Sequence, residues 1–171
     1  MEEDEKEHRF RKEIVKEMAN LGFFGCIAPE KYGGNETGYL AASIMTEEIA
    51  RISPSWGLPF NLQMNSIQSV LLNFGTEEQR ERWIPKLINA DLLGCFAITE
   101  ANTGSDVASM KSTAVETEGG FILSGTKMWI SGVPVADLGI VYVYTDKAAK
   151  HRGMSAFIVD MHLPGVTQKA I

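Results

Sequence analysis

The stretch FAITEANTGSD, residues 96–106, lies just after the point near residue 91 where the spacing of apolar residues changes from helical to strand-like. Its apolar first residues suit a strand, and the strand leads into a loop of small polar residues. Such a loop can present backbone N–H groups and hydroxyls to an anionic or carbonyl-bearing ligand, because no bulky side chain stands in the way. The alternative is a polar connection capped by Asp106, and composition alone leaves both interpretations open.

Before about residue 91 the apolar residues recur at helical spacing, which predicts helices over residues 5–20, 38–51 and 60–74. One apolar stripe on each helix is expected to face a core. The residues of these stripes are Phe10, Ile14 and Met18, then Leu40, Ile44, Met45 and Ile49, and finally Ile67, Val70, Leu71 and Phe74. Gly22 is expected to end the first helix.

Gly75 and Thr76 predict the boundary between the third helix and a fourth. Gly75 can take the left-handed conformation that closes a helix. Thr76 can cap the next helix, and Gln79 is placed to complete a Thr-x-x-Gln capping box. Pro85 lies inside the fourth helix and is expected to bend it or to mark its last turn. The apolar side of this helix is predicted from Trp83, Leu87 and Ile88.

From Leu92 onward the helical pattern gives way to short runs typical of strands. Strands are predicted at residues 92–98, 111–117, 119–124, 126–131, 138–144 and 155–160. Gly119 and Gly120 are expected to open the return arm of a hairpin. Short strands at close spacing favour an antiparallel β-barrel or sandwich over a parallel sheet. The expected fold class is therefore α+β, with an all-α domain over residues 1–91 followed by a β-domain over residues 92–171.

Composition and charge exclude several classes of partner. The chain is 44% hydrophobic and 22% charged, as in soluble globular proteins, and its net charge of −6 argues against nucleic-acid and anionic-membrane surfaces. No apolar run approaches the roughly 20 residues of a membrane span. Residues 1–9 are charged and acidic, unlike a signal or transit peptide. A cytoplasmic protein is expected, or a mitochondrial-matrix one if a eukaryotic targeting segment has been removed.

Common catalytic and metal motifs are missing from the sequence. It contains no dinucleotide fingerprint, phosphate-binding loop, serine-hydrolase elbow or zinc-protease motif. Cys26 and Cys95 lack further ligands, so buried free thiols are favoured over a disulfide, and no metal site is expected. His8, His151 and His162 have no companion suited to metal binding or base catalysis, and solvated surface histidines are expected.

Two blocks carry a resemblance to a known family. The pattern Phe-x-Ile-Thr-Glu-x-x-x-Gly-Ser-Asp at 96–106, followed by GTKMWIS at 125–131, closely resembles the acyl-CoA dehydrogenase family. PEKYGG at 29–34 and GTEEQ at 75–79 support it, and the resemblance runs in order through nearly the whole chain. Membership implies an α-helical N-terminal domain, a middle β-barrel, and a C-terminal four-helix bundle that is absent here, with FAD between barrel and bundle.

The resemblance also assigns the cofactor contacts. The implied FAD-binding residues are Phe96, Ile98, Thr99, Gly104, Ser105, Trp129, Ile130 and Ser131. Ile98 and Thr99 would reach the pyrimidine end of the flavin. Trp129 would flank the isoalloxazine, and Ser131 would offer its hydroxyl to the N5 edge. Ser105 would in addition contact the pantetheine or phosphate portion of the thioester substrate.

The segment LGCF at 93–96 most resembles the glutaryl-CoA dehydrogenase branch, in which an arginine of the helical domain holds the distal carboxylate of the substrate. The matching position here is Gly57. Without that clamp a dicarboxylate would be left unpaired in a low-dielectric pocket. The hypothesis is therefore a neutral acyl chain lined by Leu58, Phe60 and Leu62, with Gly57 and Leu58 as substrate-binding positions.

The implied reaction is the α,β-dehydrogenation of an acyl-CoA thioester in fatty-acid or amino-acid degradation. A glutamate base takes the Cα proton, a hydride leaves Cβ for flavin N5, and electrons pass to an electron-transfer flavoprotein. The base is expected in the missing C-terminal part, so no residue here is assigned as catalytic and the 171-residue chain alone is expected to be inactive. Glu100 is expected to anchor its loop, and the full-length enzyme to be a dimer or tetramer.

Two alternatives stay open at this point. An acyl-CoA oxidase or a flavin monooxygenase on the same scaffold would differ in how oxygen reaches the flavin, which the residues present do not decide. A flavin-free, non-catalytic paralogue would instead serve as a binding or assembly module.

Overall fold

The computed structural model describes Asp4, residues 6–7 and residues 9–170. Tertiary contacts divide the chain between Leu93 and Gly94 into two units, a helical unit and a sheet unit. The predicted fold class, a helical domain followed by a β-domain, is confirmed.

From Lys12 onward, the described residues of the helical unit form five α-helices. Their bounds are α1 Lys12–Asn20, α2 Gly38–Ile52, α3 Pro54–Asn61, α4 Ser69–Phe74 and α5 Glu77–Ile88, with a π-helix at Leu62–Gln68 and 3₁₀ turns at Phe23–Gly25 and Glu30–Tyr32. The core is formed by apolar side chains with almost no exposure, among them Phe24, Phe60, Met64, Ile67, Leu71, Ile84 and Leu87. Burial of this apolar surface is what holds the short helices together.

The helix predicted over residues 5–20 is interrupted: Asp4 and Lys6 are helical, residues 9–11 are not, and α1 begins at Lys12, while residue 5 itself lies outside the described residues. Arg9 and Arg11 both donate to the Asp4 carboxylate, and the Arg9 amide donates to the Asp4 carbonyl at 2.8 Å. These bonds hold residues 9–11 out of helical conformation. Phe10 therefore packs against Trp56, with ring centroids 5.1 Å apart. The Arg11 hydrogen bond leads the interactions that hold the pKa of Asp4 far below its usual range.

The prediction that the apolar stripe of α2 faces the core is wrong, because Leu40 and Ile44 are exposed. The helix packs through small residues: Ala42 is fully buried, and Ala50 touches Gly57 of α3. A small-residue contact brings two helix backbones close together, and the longer side chains then point away from the contact.

The third predicted helix is longer than expected, because the chain is helical from Pro54 through Phe74. Its middle, Leu62–Gln68, is a π-helix, whose hydrogen bonds join residues five apart. Gln63 and Gln68 consequently lie on one face, and both are buried. Phe74, predicted to face the core, is exposed instead.

The boundary at Gly75 has a different cause from the predicted one. Gly75 is extended, with φ −71° and ψ 155°, so the left-handed prediction is wrong. A Cβ at this position would lie 2.6 Å from the Leu71 carbonyl oxygen, which is why only glycine fits. The Thr76–Gln79 capping box is confirmed, with both reciprocal hydrogen bonds present. Gly22, with φ 79°, closes α1 as predicted.

The sheet unit is a five-stranded mixed sheet. Its strands are β1 Gly94–Ala97, β2 Thr113–Thr117, β3 Gly120–Ser124, β4 Leu138–Tyr144 and β5 Met154–Asp160. The predicted hairpin is confirmed as β2–β3, and β4 pairs antiparallel with β5. However, β4 pairs parallel with β1 and with β2, so the pairing is not antiparallel throughout. The chain between β1 and β4 is long enough to return to the same end of the sheet, which parallel pairing requires.

Candidate functional site

Two loops of the sheet unit meet beside β1. We call residues 96–106 the first segment and residues 125–131 the second segment. The Met128 amide donates to the Thr99 carbonyl at 2.9 Å, and Lys127 Nζ donates to the Ile98 carbonyl at 3.0 Å. The structure therefore brings together the two blocks on which the cofactor site was predicted.

A buried carboxylate supports this junction. Glu100 accepts hydrogen bonds from the backbone amides of Lys111 and Ser112, at 2.7 and 3.0 Å, and from the Ser112 hydroxyl. Lys127 Nζ lies 2.9 Å from Glu100 Oε1, and only 11% and 9% of the two side chains are exposed. The prediction that Glu100 anchors its loop is confirmed.

The electrostatics of Glu100 follow from these contacts. Burial on its own would raise the pKa of this carboxyl group, because it disfavours the charged form. The hydrogen bonds from Ser112, from the Lys111 amide and from Lys127 outweigh burial and lower the pKa of Glu100 to about 2. The group is thus a fixed anion at neutral pH, unsuited to taking up a proton as a general base.

The second segment is not the strand predicted over 126–131. Trp129 has φ 60°, a left-handed conformation in which an aromatic residue is strained and in which a strand cannot continue. Gly132 follows with φ 76°. The indole is 68% exposed although it is large and apolar. An exposed aromatic side chain on a strained backbone is typical of a ligand-contacting position.

The remaining predicted cofactor residues are distributed around this junction. Phe96 is half-buried against Tyr142, with ring centroids 5.1 Å apart. The other half-buried positions are Ile98, Thr99 and Ile130, while Gly104, Ser105 and Ser131 are exposed. The hydroxyls of Ser105 and Ser131 are thus open to a ligand, whereas the apolar residues are partly covered by the protein.

A cavity of about 540 Å³ opens next to the second segment. Ala97, Val141, Val143 and Val159 line it from the strands, and Trp129 borders it from the loop. Polar side chains, among them Lys127 and Gln168, also line it, and a mixed lining of this kind suits a ligand with an apolar body and polar edges.

The two substrate positions lie on α3 of the helical unit. Gly57 is buried where a Cβ would come within 2.7 Å of Ala50 Cβ, so its absence of a side chain serves the packing of α2 on α3. Leu58 is exposed. Phe60, expected beside it as an acyl-chain contact, is buried against Phe24 at 5.4 Å. Leu62, the third expected lining residue, is half-buried. Leu58 is therefore the expected lining residue that is most open to a ligand.

Sequence reasoning missed the partners that hold the junction. In the sequence pattern Lys127 is only one residue of GTKMWIS, and Ser112 belongs to no motif. The close packing of Gly125 was also missed: a Cβ there would lie 2.0 Å from Ser112 Oγ. The sequence signal for the Lys127–Glu100 pair is a lysine in the second block together with the glutamate of the first block.

The sequence also predicts buried free cysteines and solvated surface histidines. Cys26 and Cys95 are free and buried, as expected, and burial raises the pKa of Cys95 to about 11. His151 and His162 are both exposed, as predicted, and His162 Nε2 in addition lies 3.0 Å from Asp137 Oδ1. His8 lies outside the described residues.

The part of the chain that the structure describes offers neither a cluster of metal ligands nor a helix that could cross a bilayer. There, His, Cys, Asp and Glu side chains form no group of three or more that could hold a metal ion. Helices long and apolar enough to span a bilayer are likewise missing from the described residues.

Comparison with known sequences gives matches over nearly the whole chain. The family model for the acyl-CoA dehydrogenase N-terminal domain matches residues 1–91, and the model for the middle domain matches residues 95–171. A glutaryl-CoA dehydrogenase of Desulfococcus multivorans is 43% identical over 95% of this chain and 43% of its own length. A mitochondrial isovaleryl-CoA dehydrogenase of Pongo abelii is 43% identical over 90% of the chain and 37% of its own length.

Solved structures agree with these matches. A glutaryl-coenzyme A dehydrogenase in complex with glutaryl-CoA superposes with a TM-score of 0.85 at 45% identity, covering 88% of this chain and 39% of that one. A glutaryl-CoA dehydrogenase from Mycobacterium smegmatis, in complex with FADH2, gives a TM-score of 0.84 at 31% identity, covering 91% and 39%. The chain thus spans less than half the length of the relatives that it matches. On sequence, fold and the convergence of the two segments, this chain belongs to the acyl-CoA dehydrogenase family.

Proposed function

We propose that the protein is an FAD-dependent acyl-CoA dehydrogenase, to which this chain contributes a helical unit and one wall of the flavin site. The observation that carries the proposal is the junction of the first and second segments, which presents the strained, exposed Trp129 beside open hydroxyls. Relatives solved with FADH2 and with glutaryl-CoA support it. When bound, FAD would supply the acceptor for the hydride that leaves Cβ of the thioester.

The residues present fit a flavin. Trp129 offers a large apolar face that can cover a flat ring and keep water from it. Thr99 and Ser131 carry hydroxyls that can donate to the polar edge of the ring, and Ser105 can donate to a phosphate or amide of the substrate. We propose the full set as the binding residues: Phe96, Ile98, Thr99, Gly104, Ser105, Trp129, Ile130 and Ser131.

These donors have a defined chemical effect. A two-electron reduction places negative charge on the cofactor, and donors already aimed at that charge favour the reduced form. A hydrogen bond to a charged group contributes roughly 1.5–3 kcal/mol. About 1.4 kcal/mol corresponds to about 30 mV in a two-electron couple, so one hydroxyl can change the potential measurably. We assign no catalytic base within this chain, because Glu100 is fixed as an anion by its donors.

For the substrate we propose a neutral acyl chain in contact with Leu58. At Gly57, where the glutaryl branch carries its arginine, the backbone is packed against Ala50 and has no room for a side chain. A distal carboxylate would find no partner there, and an unpaired charge in an apolar site is costly. Similar identity to a glutaryl-CoA and to an isovaleryl-CoA dehydrogenase is compatible with either substrate, so the geometry of Gly57 carries this choice.

We further propose that the full-length enzyme passes electrons to an electron-transfer flavoprotein and assembles as a dimer or tetramer. A domain boundary at residues 91–92 is supported by the family matches and by the contact division at Leu93. Relatives occur in bacteria and in mitochondria, which supports a cytoplasmic or mitochondrial-matrix location.

The first test is the visible absorption spectrum of the 171-residue chain after incubation with excess FAD and desalting. A retained flavin band that Trp129→Leu weakens, and that Trp83→Leu leaves intact, is the result expected if the second segment binds the ring. A band equally retained by the Trp129 variant would contradict the assignment of that residue.

The second test is dye reduction by the full-length protein with isovaleryl-CoA and with glutaryl-CoA. A higher kcat/KM for the uncharged thioester is expected. Preference for glutaryl-CoA would refute the neutral-chain proposal, and rapid oxygen consumption without an added acceptor would favour an oxidase on this scaffold.

A further inference from the structure

The junction between the two segments is built around a buried ion pair whose polar atoms are all used. Glu100 Oε2 accepts from the Lys111 amide, and Oε1 accepts from the Ser112 amide, the Ser112 hydroxyl and Lys127 Nζ. Lys127 Nζ also donates to the Ile98 carbonyl at 3.0 Å and lies 4.0 Å from Met110 Sδ. The pair thus ties the first segment, the second segment and the residues leading into β2 to one point.

Removing two charges from water is costly, and a buried pair is in general weak evidence of net stabilisation. What such a pair provides is a single geometry, because any displacement leaves a charge without partners. The pair is therefore better explained by the conformation it imposes than by the stability it adds.

That conformation is the one taken by Met128 and Trp129, directly after Lys127. The Met128 amide reaches the Thr99 carbonyl at 2.9 Å, and the next residue turns into the left-handed region with φ 60°. On the other side of Lys127, Gly125 packs so closely on Ser112 that no side chain would fit. The second segment is held at three points, at residues 125, 127 and 128, and the strained residue follows the last of them.

We propose that Lys127 is a positioning residue: paired with Glu100, it holds the second segment against the first and keeps Trp129 in its left-handed conformation before any ligand binds. The identity of that ligand as a flavin rests on the proposed function. A wall that is already ordered spares the ligand the cost of ordering it, which strengthens binding without any added contact.

The test compares wild type, Lys127→Met, and the double variant Glu100→Gln with Lys127→Met. Amide hydrogen exchange of the ¹⁵N-labelled 171-residue chain is followed at Met128 and, as an internal reference, at Val143 of β4. Lys31→Met, which breaks an exposed ion pair of the helical unit, is the matched control. In Lys127→Met we expect exchange at Met128 to rise at least about tenfold relative to Val143, since a charge-assisted contact is lost.

The double variant separates positioning from stability. The Glu100→Gln change removes the carboxylate charge that Lys127→Met alone would leave buried without its counter-ion, so the melting temperature should recover part of the way towards that of wild type, while Met128 exchange stays fast. Three results would overturn the proposal. In Lys127→Met, exchange at Met128 is unchanged, or it rises no more than exchange at Val143. In the double variant, exchange at Met128 returns to the wild-type rate together with the melting temperature.

FAD affinity of the full-length protein then tests the link to the ligand. An affinity weakened about tenfold in the double variant, parallel to the exchange result, is expected. Unchanged affinity with a loosened second segment would overturn the role of the pair in cofactor binding. Full-length wild type that binds no FAD would instead refute the proposed function, while the exchange result would still decide whether Lys127 positions the segment.

Discussion

Two lysine–glutamate pairs, one in each unit, have similar lengths and very different surroundings. Lys127 and Glu100 lie 2.9 Å apart with 11% and 9% of their side chains exposed, whereas Lys31 and Glu77 lie 2.7 Å apart with 59% and 49% exposed. Distance alone would rank the two pairs as equals. Their burial decides what each can do.

The exposed pair acts through local bonds. Hydrogen bonding to Glu77 raises the pKa of Lys31, and the bond from Lys31 leads those that lower the pKa of Glu77. Water and salt screen this attraction, so little stability depends on it. In the buried pair, by contrast, every displaced group would face an apolar surrounding, so the pair fixes a geometry. The same two residue types can therefore form a surface pair that water screens or a buried pair that fixes the geometry of neighbouring segments.

The largest effect is expected from Glu100→Ala. It removes the acceptor of two backbone amides and leaves the Lys127 ammonium buried without its counter-ion, and breaking a buried pair in this way costs about 3–5 kcal/mol. Urea unfolding of the 171-residue chain, followed at amide signals of β4, measures the free energy of unfolding of the sheet unit. Lys31→Ala, the matching change in the exposed pair, should leave the free energy of unfolding of its own helical unit, followed at amide signals of α5, unchanged. Equal losses in both variants would contradict the distinction drawn from burial.

Acid should weaken the sheet unit through the same carboxyl group. The folded-state pKa of Glu100, about 2, lies below the ordinary value of 4.5. Its contribution is therefore present above about pH 5 and is lost as the pH falls towards 2. It amounts to about 3 kcal/mol at neutral pH. Glu100→Gln should flatten this part of the stability-versus-pH curve, and a variant curve parallel to that of wild type would show that another group causes the acid sensitivity.

A smaller effect is expected from the helical unit, where the polar contacts are local. Thr76→Ala removes the side-chain acceptor of the Gln79 amide at the start of α5 and should cost about 1 kcal/mol. Thr37→Ala is the control, since Thr37 precedes α2 without capping it. The loss is measured by urea unfolding followed at α5 amides. A cost as large as that of Glu100→Ala would mean that exposed and buried polar contacts are not as different as proposed.

The smallest effect is expected from salt. Raising the ionic strength should return the pKa of Glu77 towards its ordinary value, because exposed charges are screened, while the pKa of Glu100 should hardly move. Carboxyl carbon NMR titrations at low and high salt measure both groups in one sample. A Glu100 pKa that shifts with salt as much as that of Glu77 would show that its site is open to water.

Much of the fold follows from local sequence. The capping box at Thr76 and Gln79, the hairpin opened by Gly119 and Gly120, and the closure of α1 at Gly22 depend on neighbouring residues alone, and each was predicted correctly. The same holds for the division into helices and strands, because periodicity is a property of the sequence. The structure brings the two motif blocks together, and the cofactor site assigned to them stays a prediction.

Tertiary structure decided the rest, for reasons that local pattern does not contain. Leu40 and Ile44 are exposed because α2 packs through Ala42 and Ala50, and Gly75 is required by the nearby Leu71 carbonyl and not by its own φ. Residues 126–131 have a strand-like composition, yet the bonds of Lys127 and Met128 to the first segment turn them into a strained loop. A contact between residues far apart in sequence can override a local preference of about 1 kcal/mol, which is why only the folded chain shows where Trp129 points.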